Sequence, residues 1–271
     1  NNSSSIDAVI HFAGLKAVGE SVNNPLLYWD MNFNSSLNLV KTMDKFYCRT
    51  IVFSSSATIY GDANNIPIDE ESEIKPTNPY GHTKACIEYL LEGIFNSSNS
   101  EWRVANLRYF NPIGAHESGL IGEDLFNKPN NLFPFICGVA QGKYKQLNIF
   151  GNDWETPDGT GIRDYIHVMD LAESHCSALE FLIEKDQQIL KLNIGTGIGT
   201  SVLELIENFK AINKCDIPYV FCPRRLGDVP ILIADNRRAI SLLDWHPKRN
   251  IQDMCRNGWD WQKLNPRGFC I

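Results

Sequence analysis

The chain has 271 residues, 43% of them hydrophobic, and a formal charge of −7. That apolar fraction is enough for one large domain or two modest ones with buried cores, and it excludes a disordered chain. The acidic balance argues against a nucleic-acid partner, which needs a basic stripe. No apolar run reaches membrane-span length, and the opening "NNSSSIDAVIHF" has no signal-peptide pattern. The expectation is a cytoplasmic protein with neither nucleic-acid nor membrane partners.

In chain order, "DAVIHF" (7–12) and "TIVFSS" (50–55) read as buried parallel strands. Between them 25–46 reads as a helix opened by Pro25. "NPYGHTK" (78–84) opens a second helix over 79–96, and "RVANLRYF" (103–110) is a third strand. Then 111–131, rich in Gly, Pro and Asn, predicts a long loop of the kind that usually carries function. A helix near 132–141, a strand at 147–150, a loop at 151–163 and a helix near 170–184 follow. A strand at 190–194 and helices at 201–212, 235–243 and 251–263 complete the pattern. "NIGTGIGTS" (193–201) departs from G-x-G-x-x-G, so it predicts a tight turn into a helix capped by Ser201 or Thr200 rather than a phosphate cradle. The alternation implies an α/β chain: residues 1–110 as part of a doubly wound parallel sheet, and 111–271 as mainly a second, smaller domain. Eight cysteines, Cys48, Cys86, Cys137, Cys176, Cys215, Cys222, Cys255 and Cys270, show no CxxC or metal spacing. They read as reduced thiols, with no metal. The sequons at Asn2, Asn34 and Asn96 read as chance matches.

At about 100° per residue, Tyr80, Lys84, Ile87, Leu91, Ile94 and Phe95 fall on one arc of the 79–96 helix. Lys84 therefore lies in the apolar stripe, where an ammonium is costly unless compensated. One reading is a lysine snorkelling from a helix start. The other is a fixed cation one turn from a phenol, lowering the Tyr80 pKa toward neutrality for acid/base work. "FSSSATIYG" ends a strand in hydroxyls at the carboxyl edge of a parallel sheet, where ligands bind, and Ser56 is the candidate partner for Tyr80.

A strand-end Ser followed by Y-x-x-x-K resembles the extended short-chain dehydrogenase/reductase superfamily. With "HFAGLKAVGES", "FSSSATIYGD", "LRYFNPIGAH", "PNNLFPFI", "DGTGIRDYIHVMD" and "RRLGDVP", the chain resembles UDP-glucose 4-epimerases over nearly its whole length. The resemblance implies interconversion of UDP-glucose and UDP-galactose through a 4-keto sugar, with hydride passing to bound NAD and back. It implies Tyr80, Ser56 and Lys84 as the catalytic groups. Phe12, Ala13, Gly14, Lys16 and Phe110, with Tyr80 and Lys84, would contact NAD. Asn111, Asn131, Leu132, Asn148, Phe150, Arg163, Arg225 and Asp228 would hold the UDP-sugar with Ser56 and Tyr80. It also implies a homodimer through 25–46 and 79–96.

Three features depart from the family pattern. Met31 stands where many members have a cofactor-contacting Asn, so either the contact is lost or neighbouring Asn32 substitutes. Leu232 occupies a position that narrows or opens the pocket for N-acetylated sugars, and its intermediate size leaves that choice open. No G-x-x-G-x-x-G turn precedes Ile6. About two β–α units, of the order of 60–80 residues, are expected to be absent, given about 30 per βαβ unit. A chain so truncated is expected to bind NAD poorly. The alternatives are a non-catalytic remnant or a 4,6-dehydratase. Against the latter, Ala57 and Thr58 follow Ser56 where dehydratases usually carry an Asp-Glu pair.

Overall fold

The computed structural model describes residues 6–63, 65–97, 101–124, 129, 131–225 and 227–269, so Cys270 and the Asn2 sequon lie outside the described residues. In chain order the elements are β1 (Val9–His11), α1 (Val18–Asn23), α2 (Pro25–Tyr28), α3 (Ser35–Lys45), β2 (Thr50–Ser56), α4 (Pro79–Phe95), β3 (Arg103–Tyr109) and β4 (Asn111–Ile113). They continue with α5 (Leu132–Ala140), β5 (Leu147–Phe150), β6 (Ile162–His167), α6 (Val168–Glu184), β7 (Gln188–Ile194) and β8 (Gly199–Ser201). The last are α7 (Val202–Asn213), β9 (Tyr219–Cys222), β10 (Ile231–Leu232), α8 (Arg237–Leu243) and α9 (Ile251–Leu264). The chain divides into two compact units. One comprises Asn1–Tyr109, Glu173–Ile194 and Asp235–Trp245; the other comprises Phe110–Ala172, Gly195–Ala234 and His246–Ile271.

The first unit is built on a four-stranded parallel sheet in the order β1-β2-β3-β7. Successive side chains of β2 point to opposite faces. Ile51 and Phe53 pack with Val40 and Met43 of α3 and Ile87 and Leu91 of α4. Ser54, on the other face, hydrogen-bonds His175 of α6 at 3.0 Å. Helices thus cover both faces, and all of β2 is buried, which explains why it reads as a continuous run rather than an alternating one. The expected helix over 25–46 is continuous but not uniform: a π-helical stretch, Trp29–Asn34, separates α2 from α3.

In the second unit, β4 and β10 flank β6 in parallel, and β8 pairs antiparallel with β6. A separate parallel pair joins β5 to β9. Phe133, Ile136, Leu147, Ile149, Tyr165, Leu205, Phe209 and Met254 form its core under α5, α7 and α9. The expected loop over 151–163 gives way to β6 at Ile162. Two adjacent charges, Arg163 and Asp164, hid that strand from its hydrophobic pattern. The strands at 111–113, 199–201 and 231–232 are too short to show a period.

Candidate active site

The first unit presents Tyr80 and Lys84 from the start of α4. The Asn78 side chain caps that helix, accepting from the Gly81 amide at 2.9 Å, and Pro79 supplies a preset first turn. Tyr80 and Lys84 are both buried, as the helical arc requires. The Lys84 Nζ donates to the Ser54 carbonyl at 2.7 Å and sits 4.8 Å from the centre of the Phe53 ring. The Ser56 hydroxyl acts on the Tyr80 phenol as a lowering influence on its pKa. Ser56 Oγ also accepts from the Thr58 hydroxyl at 2.9 Å and the Thr58 amide at 3.3 Å. With its acceptor positions used, the Ser56 hydroxyl is left as a donor. Gly81 permits the approach of α4 to this segment, because a Cβ there would lie 2.8 Å from the Thr58 carbonyl.

The electrostatics differ from the sequence expectation. Burial is the largest influence on Tyr80, and it raises the phenol pKa rather than lowering it; the nearby Ser56 hydroxyl opposes the rise. Burial also pushes Lys84 down to about 8, with Glu88 acting in the opposite sense. The Lys84 ammonium is 5.8 Å from the Tyr80 ring centre and spends its hydrogen bond on a backbone carbonyl. Proximity in sequence is therefore outweighed by desolvation of both groups. Tyr80 rests as a neutral phenol.

The loop after β1 carries the other expected NAD contacts of this unit. Phe12 is 56% exposed, with its ring 4.6 Å from that of His175, and Ala13, Gly14 and Lys16 are exposed too. Asn32 shapes this loop: its Oδ1 accepts from Leu15 N at 2.7 Å, and its Nδ2 donates to Leu15 O at 3.0 Å and Thr83 Oγ1 at 3.2 Å. Gly14, at φ +156°, passes so close that a Cβ would sit 3.0 Å from Asn32 Oδ1. Asn32 is thus committed to the loop, while Met31 is 47% exposed. An exposed glycine-containing loop at a parallel-sheet edge, beside a buried ammonium with donors to spare, fits the nicotinamide ribose of a dinucleotide.

The second unit carries the other expected substrate contacts. Asn111 on β4 pairs with Tyr165 on β6, and Arg163 on β6 pairs with Leu232 on β10. By strand alternation Asn111, Arg163 and Leu232 share one face. Arg163 donates to the Ile162 carbonyl at 2.8 Å. The Arg225 guanidinium lies 4.7 Å from the Phe150 ring centre and 3.0 Å from Asp228. Asn148 and Phe150 occupy the exposed face of β5. Asn131 precedes α5 with no side-chain cap bond, Leu132 opens that helix, and Phe110 is buried.

Two buried devices escaped the sequence reading. Glu88 and Arg108 form an ion pair in the first unit; an arginine among the apolar residues of β3 was the available signal. In the second unit, Asp164 gathers four donors. Its Oδ1 accepts from Thr196 N at 2.8 Å and Thr196 Oγ1 at 2.7 Å, and its Oδ2 from Gly197 N at 2.9 Å and Ala234 N at 3.2 Å. The amides of "NIGTGIG" that could have cradled a phosphate hold an internal carboxylate instead. Ser201 then caps α7 through a capping box with Glu204.

The family model described as GDP-mannose 4,6 dehydratase matches residues 2–258. The UDP-glucose 4-epimerase of Dictyostelium discoideum is 51% identical over 264 residues, spanning 97% of this chain and 76% of that protein. The crystal structure of UDP-glucose 4-epimerase from Bifidobacterium longum in complex with NAD+ and UDP is 46% identical. It superposes with a TM-score of 0.94 over 98% of this chain and 79% of that one. The enzyme from Stenotrophomonas maltophila with bound NAD and formylated UDP-arabinopyranose has the same TM-score at 44% identity, covering 97% of this chain and 77% of that one.

Proposed function

Because the chain belongs to the UDP-glucose 4-epimerase family, within the extended short-chain dehydrogenases/reductases, we propose that it interconverts UDP-glucose and UDP-galactose with Tyr80, Ser56 and Lys84 at the reacting carbon. The observation that carries this reading is the buried Tyr80 and Lys84, one helical turn apart on α4, with the Lys84 ammonium fixed to the Ser54 carbonyl of the strand that ends in Ser56. Tyr80 exchanges a proton between its phenol oxygen and the sugar 4-oxygen. It serves as the base only after its own phenol proton has passed to solvent; the phenolate then takes the 4-hydroxyl proton, and the phenol so formed is the donor for the return step. Ser56 also holds the 4-oxygen while its bond order changes. NAD, when bound, takes up the hydride of sugar C4 and returns it to the opposite face. Phe12, Ala13, Gly14, Lys16, Lys84 and Phe110 are its proposed contacts.

Asn111, Asn131, Leu132, Asn148, Phe150, Arg163, Arg225 and Asp228 are the proposed contacts of the UDP-sugar. Arginines suit the diphosphate because their planar forks bond anions at two points. The residues after Ser56, Ala57 and Thr58, carry no acid for the elimination a dehydratase performs. A homodimer through 25–46 and 79–96 would cover Leu26, Met31 and Tyr89, all exposed in the single chain. Among the described residues no helix is long and apolar enough to cross a membrane, and the described cysteines are free thiols. These features fit work in the cytoplasm.

The decisive variant is Tyr80→Phe. Epimerisation should fall by about 10²–10⁴-fold, the usual worth of a positioned acid/base group, while calorimetric UDP affinity is unchanged. Wild-type turnover in that variant would refute the assignment.

A further inference from the structure

Behind Lys84 lies a buried polar network that no step above uses. Glu88 follows Lys84 by one turn of α4, and both it and Arg108 of β3 have side chains 1% exposed. Arg108 Nε donates to both Glu88 oxygens at 3.1 Å, and its second prong reaches Oε2 at 2.7 Å. The Ser55 hydroxyl donates to Oε1 at 2.5 Å. The remaining Arg108 nitrogen donates to Tyr60 OH at 2.9 Å and the Glu70 carbonyl at 3.0 Å, and the Tyr60 hydroxyl donates to Asn193 Oδ1 at 2.7 Å. The network therefore ties α4 to β2, β3 and β7. Ser55 stands between Ser54, whose carbonyl holds Lys84, and Ser56, the proposed partner of Tyr80.

Replacing a buried ion pair with apolar residues is often neutral or stabilising, so fold stability alone does not account for this one. We propose that Glu88 is a positioning residue for catalysis: held by Arg108 and Ser55, its carboxylate keeps the Lys84 ammonium charged and keeps α4 in register with the serines of β2. This rests on the reading of Lys84 as the cation of the site.

The titratable and charged groups around Lys84 leave Glu88 as its anion. On α4 itself these are Tyr80 and Glu88. From β1 comes His11, which burial and Lys84 push down to about 4, so it is neutral at physiological pH. Tyr28 of α2 and Tyr109 of β3 are raised by burial and are neutral as well. Glu20 of α1 is exposed and accepts from Tyr28 at 2.8 Å, and Asp30 is exposed. Glu92, farther along α4, is paired with Lys191 of β7 at 2.9 Å. Arg108 lies against Glu88 and opposes it. Glu88 is the charged group that acts against burial to raise Lys84.

The test follows the Lys84 Nζ by heteronuclear NMR titration, with its signal assigned through Lys84→Arg. In Glu88→Gln the midpoint should fall by about one to two pH units, the scale expected for a unit charge about 6–12 Å away at an effective dielectric near 20. Glu88→Asp should restore most of that loss. The paired variant Glu88→Gln/Arg108→Gln, which leaves no buried unpaired charge, should give a smaller fall because the opposing cation goes too. A folded Glu88→Gln protein with the wild-type midpoint would overturn the proposal. If the single variant does not fold, an unchanged midpoint in the paired variant would do so. Turnover separates the two layers: the high-pH limb of kcat should move with the midpoint while KM for UDP-galactose stays constant. A midpoint that moves without the kcat limb would uphold the coupling of Glu88 to Lys84 but refute the catalytic reading of Lys84.

Discussion

Burial holds Lys84 at about 8, against 10.5 for an exposed lysine. Between those values the folded chain releases the proton before the unfolded chain does. Stability therefore rises as pH climbs from about 8 toward 10.5, and the full penalty of a buried cation acts below 8. The shift corresponds to about 3 kcal/mol. Lys84→Met should remove that penalty but orphan the Ser54 carbonyl, which costs about 1–3 kcal/mol. The expected outcome is an inactive protein that is more stable at pH 7, by roughly 1–2 kcal/mol in urea denaturation. That advantage should shrink above pH 8, and a variant destabilised equally at every pH would contradict the assignment of Lys84 as a strained cation.

Helix α4 holds the acid/base group and the cation on one rigid element. Its start is specified locally by the Asn78 cap and Pro79. Its distance from the Ser56 segment is set by Gly81, where a Cβ would meet the Thr58 carbonyl at 2.8 Å and Pro76 at 3.0 Å. A backbone carbonyl cannot swing aside as a side chain can, so Gly81→Ala must part α4 from the 56–59 turn. Such a small misplacement of reacting groups is enough to lose about 10²-fold in rate. We expect kcat to drop on that scale with UDP affinity retained, measured by coupled assay and calorimetry. Wild-type kcat would mean that the close approach is not needed.

Across the whole molecule, the two compact units carry different chemistry. The proton-handling groups belong to the first, and the proposed UDP contacts Arg163, Arg225 and Asp228 to the second. The net charge of −7 makes those arginines matter for a dianionic ligand. Arg163→Ala or Arg225→Ala should each raise KM for the UDP-sugar by at least about tenfold, given about 1.5–3 kcal/mol for a hydrogen bond to a charged group. The Lys84 titration midpoint should not move in either variant. A fall in kcat at unchanged KM would contradict this division.

Much of this was legible in the residues themselves. The helical arc put Lys84 in the apolar stripe beside Tyr80, and the hydroxyl run placed Ser56 at a strand end, because both depend only on local geometry. The helix starts at Pro79 and Ser201 were likewise legible, since capping is a local bond. The sign of the Tyr80 shift was not, because it turns on how much water the whole fold removes from the phenol. Nor were Asn32 as the clamp of the 12–16 loop, Asp164 as the anion in the "NIGTGIG" turn, or Glu88 paired with Arg108. Each joins residues far apart in the chain, and the hydrogen bonds that satisfy a buried polar group are decided only when the tertiary structure brings its partners to it.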